Sequence, residues 1–177
     1  VSVAPEKFYV IEDFISIEDR QDLISFIDQL PEKDLNKKGD GRLTLCDKDL
    51  PESTKFLKKY TPKVQEVLTS NHEVRTFFLS VYPAGSGMLP HLDEPDEPLK
   101  DDLAVVFILN DDYEGGELYF PDWDYTYTPK AGDAIFFPCN RYLHGVNSVL
   151  SGTRYSVPLQ YSSVDGESLD FLRSKND

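Results

Sequence analysis

The sequence predicts an α+β chain, mainly β, with its strands in a sandwich or jelly roll. Two observations carry that expectation. Helical periodicity is confined to the N-terminal part, and from Val74 onward short strand-like runs recur between turn signals. The length, 177 residues with 40% hydrophobic content, fits one domain with a single core. The expected organisation is therefore a single domain over residues 1–177. It divides into helical support over 1–73, a strand core over 74–162 and a C-terminal tail over 163–177.

The elements follow in order. FYVIEDF (Phe8–Phe14) alternates apolar residues and reads as a short strand. Ser16-Ile-Glu-Asp19 resembles a capping box with Asp in the place of Glu or Gln. It opens a helix whose Leu23, Ile24, Phe26, Ile27 and Leu30 form an apolar face, and Pro31 ends it. Lys33 to Lys48 is polar, contains glycine and lacks periodicity, so a mobile loop is expected there. Glu52 to Ser70 is helical, and Thr61-Pro62 reads as an N-cap and N1 proline that divide it in two. The strand runs are VRTFFLSVY (Val74–Tyr82), LAVVFILN (Leu103–Asn110), ELYFP (Glu117–Pro121), AIFFP (Ala134–Pro138) and RYSVPLQYS (Arg154–Ser162). Pro83-Ala-Gly85, Gly115-Gly116, Lys130-Ala-Gly-Asp133 and Ser151-Gly152 separate them, and there is no internal repeat.

Composition excludes several function classes. The net charge is −14, from 32 acidic and 18 basic residues. Such a field repels phosphate backbones and steers a cationic partner, and no basic patch for nucleic acid is visible. No run of about 18 or more apolar residues exists, so no membrane-spanning helix is expected. VSVAPEKFYV at the N-terminus lacks the basic and apolar regions of a secretory signal, and a cytoplasmic location is expected. Cys46 and Cys139 are the two cysteines; they are too few for a disulfide scaffold and read as free thiols.

Chemistry enters with LPHLDEP (Leu89–Pro95). His91 and Asp93 at i and i+2 of an extended strand share one side. That suits a metal, a proton relay or an exposed polar strand end. His72, in the polar SNHEV junction, reads as an exposed turn residue. His144 follows an apolar strand and precedes a glycine, so a later strand end can bring it to His91 and Asp93. Two histidines and one carboxylate compose the facial triad of non-haem Fe(II) oxygenases, whereas a closed zinc site would want a fourth protein ligand. Arg154 begins the last long strand, which shows no acidic neighbour. A guanidinium facing such an interior would grip a carboxylate in bidentate fashion.

YPAGSGMLPHLDEP, FILNDDYEGGELYFP, KAGDAIFFPCNRYLHGV and GTRYSVPLQY together resemble the Fe(II)/2-oxoglutarate-dependent dioxygenases, in particular the prolyl 4-hydroxylase-like branch. The resemblance covers roughly Val74 to Tyr161 and implies a double-stranded β-helix (jelly-roll) core buttressed by N-terminal helices. It implies that His91, Asp93 and His144 hold Fe(II), that Arg154 pairs with the distal carboxylate of 2-oxoglutarate, and that Tyr82 lies beside this co-substrate. It also implies O2 as oxidant, ascorbate as a candidate reductant, and a proline-containing polypeptide as substrate. The −14 charge favours a basic, ribosomal-type polypeptide. Arg141 is expected near the cavity mouth as a substrate contact, and Lys33–Cys46 sits where a lid over the mouth would. Some members carry Lys in the place of Arg154, and some carry a tryptophan on the last strand, where this chain has Gln160 and keeps its tryptophan at Trp123.

Three other readings stay open beside it. A hydrolase could use the same triad with Zn²⁺ and an activated water, although it needs no carboxylate clamp at Arg154. A silent jelly-roll module would bind a partner through the barrel mouth, although all four motif positions are intact. A hydroxylase of a free amino acid or other small molecule would share every motif.

Overall fold

The structure is a computed structural model that describes residues 3–95 and 100–164; the expected tail lies outside these residues from 165 on. In chain order the elements are β1 (Tyr9–Ile11), α1 (Ile17–Gln29), β2 (Asn36–Lys37), β3 (Leu43–Leu45), α2 (Pro51–Val67), β4 (His72–Phe77), β5 (Leu79–Tyr82), β6 (Met88–His91), β7 (Asp102–Ile108), β8 (Glu114–Gly115), β9 (Leu118–Phe120), β10 (Tyr125–Tyr127), β11 (Ala134–Pro138), β12 (His144–Val146), β13 (Val149–Ser151) and β14 (Arg154–Ser163). Pairing is antiparallel. The major sheet runs β1-β11-β7-β14-β5-β3-β2, with β4 also on β14, and the minor sheet runs β10-β9-β12-β6. The fold is the mainly β jelly roll that the sequence predicts, with helices on one side.

Alternation along the major-sheet strands sorts the side chains into two layers. Val105 and Phe107 of β7, Phe136 of β11, and Val157 and Leu159 of β14 pack with Leu23 and Ile27 of α1 and Phe56, Tyr60 and Val64 of α2. The opposite positions, Ala104, Ile108, Ile135 and Phe137, pack against Leu118 and Phe120 of the minor sheet. The helices thus cover the outer face of the major sheet, and the inner face is left to line the space between the sheets.

Four expectations need correction. The Lys33–Lys48 segment is not an irregular loop. A 3₁₀ turn (Glu32–Asp34) leads into the β2–β3 hairpin, and Leu43, Thr44 and Leu45 pair with Val81, Ser80 and Leu79 of β5. A strand this short acquires its ladder from the neighbouring sheet edge, which no local pattern records. The expected boundary at residue 73 is crossed for the same reason, since β1, β2 and β3 all join the major sheet. Nor does Pro62 divide α2, which runs unbroken from Pro51 to Val67. Proline removes one amide and crowds the preceding turn, yet Phe56, Tyr60 and Val64 stay buried along one face through it. Tertiary packing outweighs the local break. His72 opens β4 rather than occupying an exposed turn, and its ring nitrogen lies 3.0 Å from the Ser70 carbonyl.

The α1 cap is only half a capping box. Ser16 Oγ accepts from the Asp19 amide at 3.2 Å, but the Ser16 amide donates to Tyr60 Oη instead of to Asp19. The Asp19 carboxylate turns to α2, where it accepts from the Tyr60 hydroxyl and pairs with Lys59 at 2.6 Å. Burial works against the carboxylate, but the hydrogen bonds from Lys59 and Tyr60 prevail and hold its pKa near 2, below the ordinary 3.8. A carboxyl depressed by folding stabilises the fold above its unfolded pKa and loses that contribution as the pH falls through its folded value. Lys59 faces solvent, so screening limits the effect, and Asp19→Asn should cost about 1 kcal/mol at neutral pH. Urea unfolding at successive pH values should show this cost fading between pH 3.8 and about 2. A cost independent of pH would refute the assignment.

Candidate active site

The site is built on one strand pair. β12 runs antiparallel to β6 with His144 directly opposite His91. Gly145 makes this approach possible: a Cβ there would lie 2.6 Å from the Met88 carbonyl oxygen and 2.9 Å from Pro90 N. The chain then carries Asp93 back toward both rings, with its amide donating to the Cys139 carbonyl at 2.9 Å. Asp93 Oδ1 lies 3.0 Å from His91 Nε2 and 3.5 Å from His144 Nε2. All three ligand atoms fall within 4.8 Å of one another, the one such cluster among the described residues.

Each histidine is oriented by its other nitrogen. Nδ1 of His91 donates to the Leu89 carbonyl at 2.9 Å, and Nδ1 of His144 to the Tyr142 carbonyl at 2.8 Å. Both Nε2 atoms thereby face Asp93: neutral, they are free to bind a metal, and protonated, they donate to the carboxylate. For the Asp93 carboxyl, burial is an upward push, but hydrogen bonds from His144 and His91 outweigh it and hold the group well below the usual carboxylate range. The Asp93 hydrogen bond in turn raises the His91 pKa, against burial. One carboxylate and two imidazoles on one side of a cavity are a donor set suited to Fe(II).

That cavity holds about 380 Å³ and is lined by the three clustered residues and by Tyr82 and Arg154. Arg154 and Tyr82 are register partners on β14 and β5. The guanidinium carbon sits 4.9 Å from the centroid of the Tyr82 ring, close enough for a cation–π contact. Arg154 is 2% exposed. Its Nη1 donates to Ser156 Oγ at 3.1 Å, its Nε has no hydrogen-bond partner, and it has no ion pair among the described residues. A buried guanidinium without a carboxylate of its own fits an anion arriving from outside. Ala104, Leu118, Phe137 and Val146 give the cavity an apolar wall.

Arg141 lies elsewhere. It is exposed, pairs with Asp101 and does not line this cavity. From the expected lid segment it is Arg42 that reaches the cavity, held by Asp40 at 2.9 Å. The free thiols divide into exposed Cys46 and buried Cys139. Burial, then the charges of Asp93 and Asp102, push the Cys139 thiol well up, which makes it an inert packing group. Two contributions escape a reading by motif. Ser156 follows Arg154 at the strand period of two, a signal the sequence does contain. Asp102, wholly buried, accepts from Arg75 at 3.3 Å and Gln160 at 2.7 Å, and both donors also hold the Glu94 carbonyl just after Asp93. Nothing local in the sequence marks that clamp.

Residues 77–161 match the family described as the 2OG-Fe(II) oxygenase superfamily. No curated protein sequence matches the chain. Among solved structures, the viral collagen prolyl hydroxylase of Paramecium Bursaria Chlorella virus-1 in its 2OG complex is similar at 19% identity and a TM-score of 0.62, over 90% of this chain and 97% of that one. A Pseudomonas putida prolyl-4-hydroxylase is similar at 16% identity and a TM-score of 0.70, over 89% and 92%. HygX from Streptomyces hygroscopicus, with nickel and 2-oxoglutarate bound, is similar at 13% identity and a TM-score of 0.68, over 95% and 90%. At such identities the likeness to these structures is one of fold. Over residues 77–161 the chain is similar to the 2OG-Fe(II) oxygenase superfamily, and His91, Asp93 and His144 form a donor set suited to the iron of that family.

Proposed function

We propose that the protein is a dioxygenase that hydroxylates prolyl residues of a polypeptide, with His91, Asp93 and His144 as the iron ligands and Arg154 as the anchor of 2-oxoglutarate. One observation carries this reading: the three-residue donor set and an unpaired buried guanidinium line the same cavity. Together the cofactors and O2 supply an oxidative decarboxylation, in which one oxygen atom of O2 enters succinate, the other enters the substrate as a hydroxyl, and carbon dioxide leaves. Arg154 and Ser156 hold the distal carboxylate, and Tyr82 stacks under the guanidinium and keeps it in place. The apolar wall excludes water from the reacting centre.

The polypeptide substrate draws support from relatives of the same fold. Two are named as prolyl hydroxylases above, and a Trichoplax adhaerens prolyl hydroxylase is described in complex with a hypoxia inducible factor peptide fragment. The charge of −14 favours a basic polypeptide, steered to the enzyme over long range. HygX has also been solved with hygromycin B bound, which keeps a small-molecule substrate as the second reading.

Mass spectrometry on basic and acidic proline-containing proteins, incubated with Fe(II), 2-oxoglutarate and ascorbate, should show one added oxygen on a proline. The modification should favour basic proteins, weaken with added salt, and vanish with His91→Ala, whose bound iron should also be lost. Succinate formed without any modified protein would move the substrate to the small-molecule class. In steady-state kinetics Arg154→Ala should raise the KM for 2-oxoglutarate by about 30-fold or more, as expected when one partner of a buried charge pair is removed. An unchanged KM would remove Arg154 from the co-substrate site.

Metal affinity should also depend on pH in a stated direction. Iron binds neutral imidazole, and metal-free His91 titrates above its ordinary 6.5 because of Asp93. Protons therefore compete earlier, and affinity should begin to fall while the pH is still above 6.5. Equilibrium dialysis across the neutral range would measure this, and affinity that stays flat down to the ordinary imidazole value would contradict it.

A further inference from the structure

We propose that Asp102 is the positioning residue of the metal site. By two hydrogen-bonded routes it fixes the chain on both sides of the Asp93 carboxylate, and Gln160 is the side chain that delivers the second route. The inference rests on the reading of His91, Asp93 and His144 as metal ligands and adds two residues to which that reading gives no part.

The three ligands are not held alike. His91 and His144 are register partners on β6 and β12, whereas Asp93 lies two residues beyond the end of β6 and in no strand. A carboxylate on such a segment keeps one position only if the peptide groups around it are tied down. Both ties lead to Asp102, the first residue of β7. On the first route the Asp93 amide donates to the Cys139 carbonyl at 2.9 Å, and the Cys139 amide donates to the Asp102 carbonyl at 3.1 Å. On the second the Glu94 carbonyl accepts from Gln160 Nε2 at 3.0 Å and from Arg75 Nη1 at 2.6 Å. The same two nitrogens donate to Asp102 Oδ2 at 2.7 Å and 3.3 Å. One route thus ends at the Asp93 N–H and the other at the Glu94 carbonyl, with the ligand between them.

Asp102 is itself tied. Its amide donates to Asn140 Oδ1 at 2.9 Å, and Asn140 Nδ2 donates to the Lys100 carbonyl at 2.8 Å. Gln160 opposes Ala104 across β14 and β7, two residues along from Asp102, so the strand period puts Gln160 and Asp102 on one face. The chemistry of the amide settles its orientation: only the NH₂ end can face a carboxylate and a carbonyl, which both accept. A wholly buried carboxylate is a poor choice for packing alone, since an apolar side chain of similar volume carries no desolvation penalty. What Oδ2 adds is direction, because one acceptor aims both donors that hold the Glu94 carbonyl.

The test is Zn²⁺ affinity, measured by competition with a chromophoric chelator, in wild type, Asp93→Ala, Gln160→Met and the double variant. Methionine keeps the length of the side chain and removes the donor. Gln160→Met should weaken Zn²⁺ by about 10-fold, the low end for loss of a group that orients a ligand, because Arg75 keeps its hold on Glu94. In the Asp93→Ala background the same substitution should have no further effect, since the group it positions is gone. Asp102→Leu should weaken the metal by about 100-fold; if that variant fails to fold, the Gln160 cycle decides alone. Wild-type affinity in Gln160→Met overturns the proposal and leaves the metal reading intact. So does an equal loss in both backgrounds, which would mean a general loosening that displaces the histidines too. If Asp93→Ala itself binds Zn²⁺ like wild type, the metal reading fails and the role of Asp102 with it.

Discussion

The antiparallel contact between β6 and β12 is the constraint on which the site depends. His144 and His91 face each other as register partners, which puts one ring from each of two distant segments on the same side of the minor sheet. The strands can approach this closely because residue 145 has no side chain. A one-residue slip would turn one histidine to the opposite face. Asp93 reaches the pair only because its own amide is tied to the Cys139 carbonyl and the following Glu94 carbonyl is tied through Arg75 and Gln160 to buried Asp102. The three ligand atoms are thus placed by backbone pairing from three directions. Such placement holds the three donors in a fixed arrangement.

At the far end of the cavity the logic is one of charge rather than register. β14 alternates between the helix-packed core and the inner cavity, so Arg154 and Ser156 face inward while Val157, Leu159 and Tyr161 face the helices. The sheet gives the guanidinium an aromatic face and one hydroxyl acceptor but no carboxylate. Folding a charge into that position without a counter-ion costs stability, and proteins retain such a cost where a ligand later offsets it. The helices are the structural counterpart: by covering the outer face they let β7 and β14 lie buried on both sides, which keeps the cavity floor rigid.

Much of this was legible in the sequence, and what was not shares a cause. The HxD pair, the histidine before Gly145 and the arginine opening the last strand are local patterns, and the strand period of two puts each on a definite side. The same period could have given Ser156. By contrast, the β2–β3 hairpin exists only because β5 offers an open edge, and α2 passes through Pro62 only because the sheet holds Phe56, Tyr60 and Val64 in place. Arg141 illustrates the opposite error. Proximity to His144 along the chain suggested the cavity, but the turn between β11 and β12 directs its side chain to Asp101 at the surface.

The charge of the molecule acts differently at two ranges. With −14 overall, the protein repels a dianionic 2-oxo acid in bulk solution, yet its cavity is bordered by Arg42, Arg75 and Arg154. At physiological ionic strength the Debye length is about 8 Å, so the many distant surface carboxylates are screened from a small ligand at the mouth. A guanidinium inside the cavity is screened far less. Under the proposed reading, the distant charges sum over the length of a basic polypeptide, which presents many cations to the same surface at once. Under that reading one fold draws a small anion inward through buried Arg154 and half-buried Arg42 and Arg75, and a basic chain across its face through an acidic exterior, because solvent screening separates the two fields.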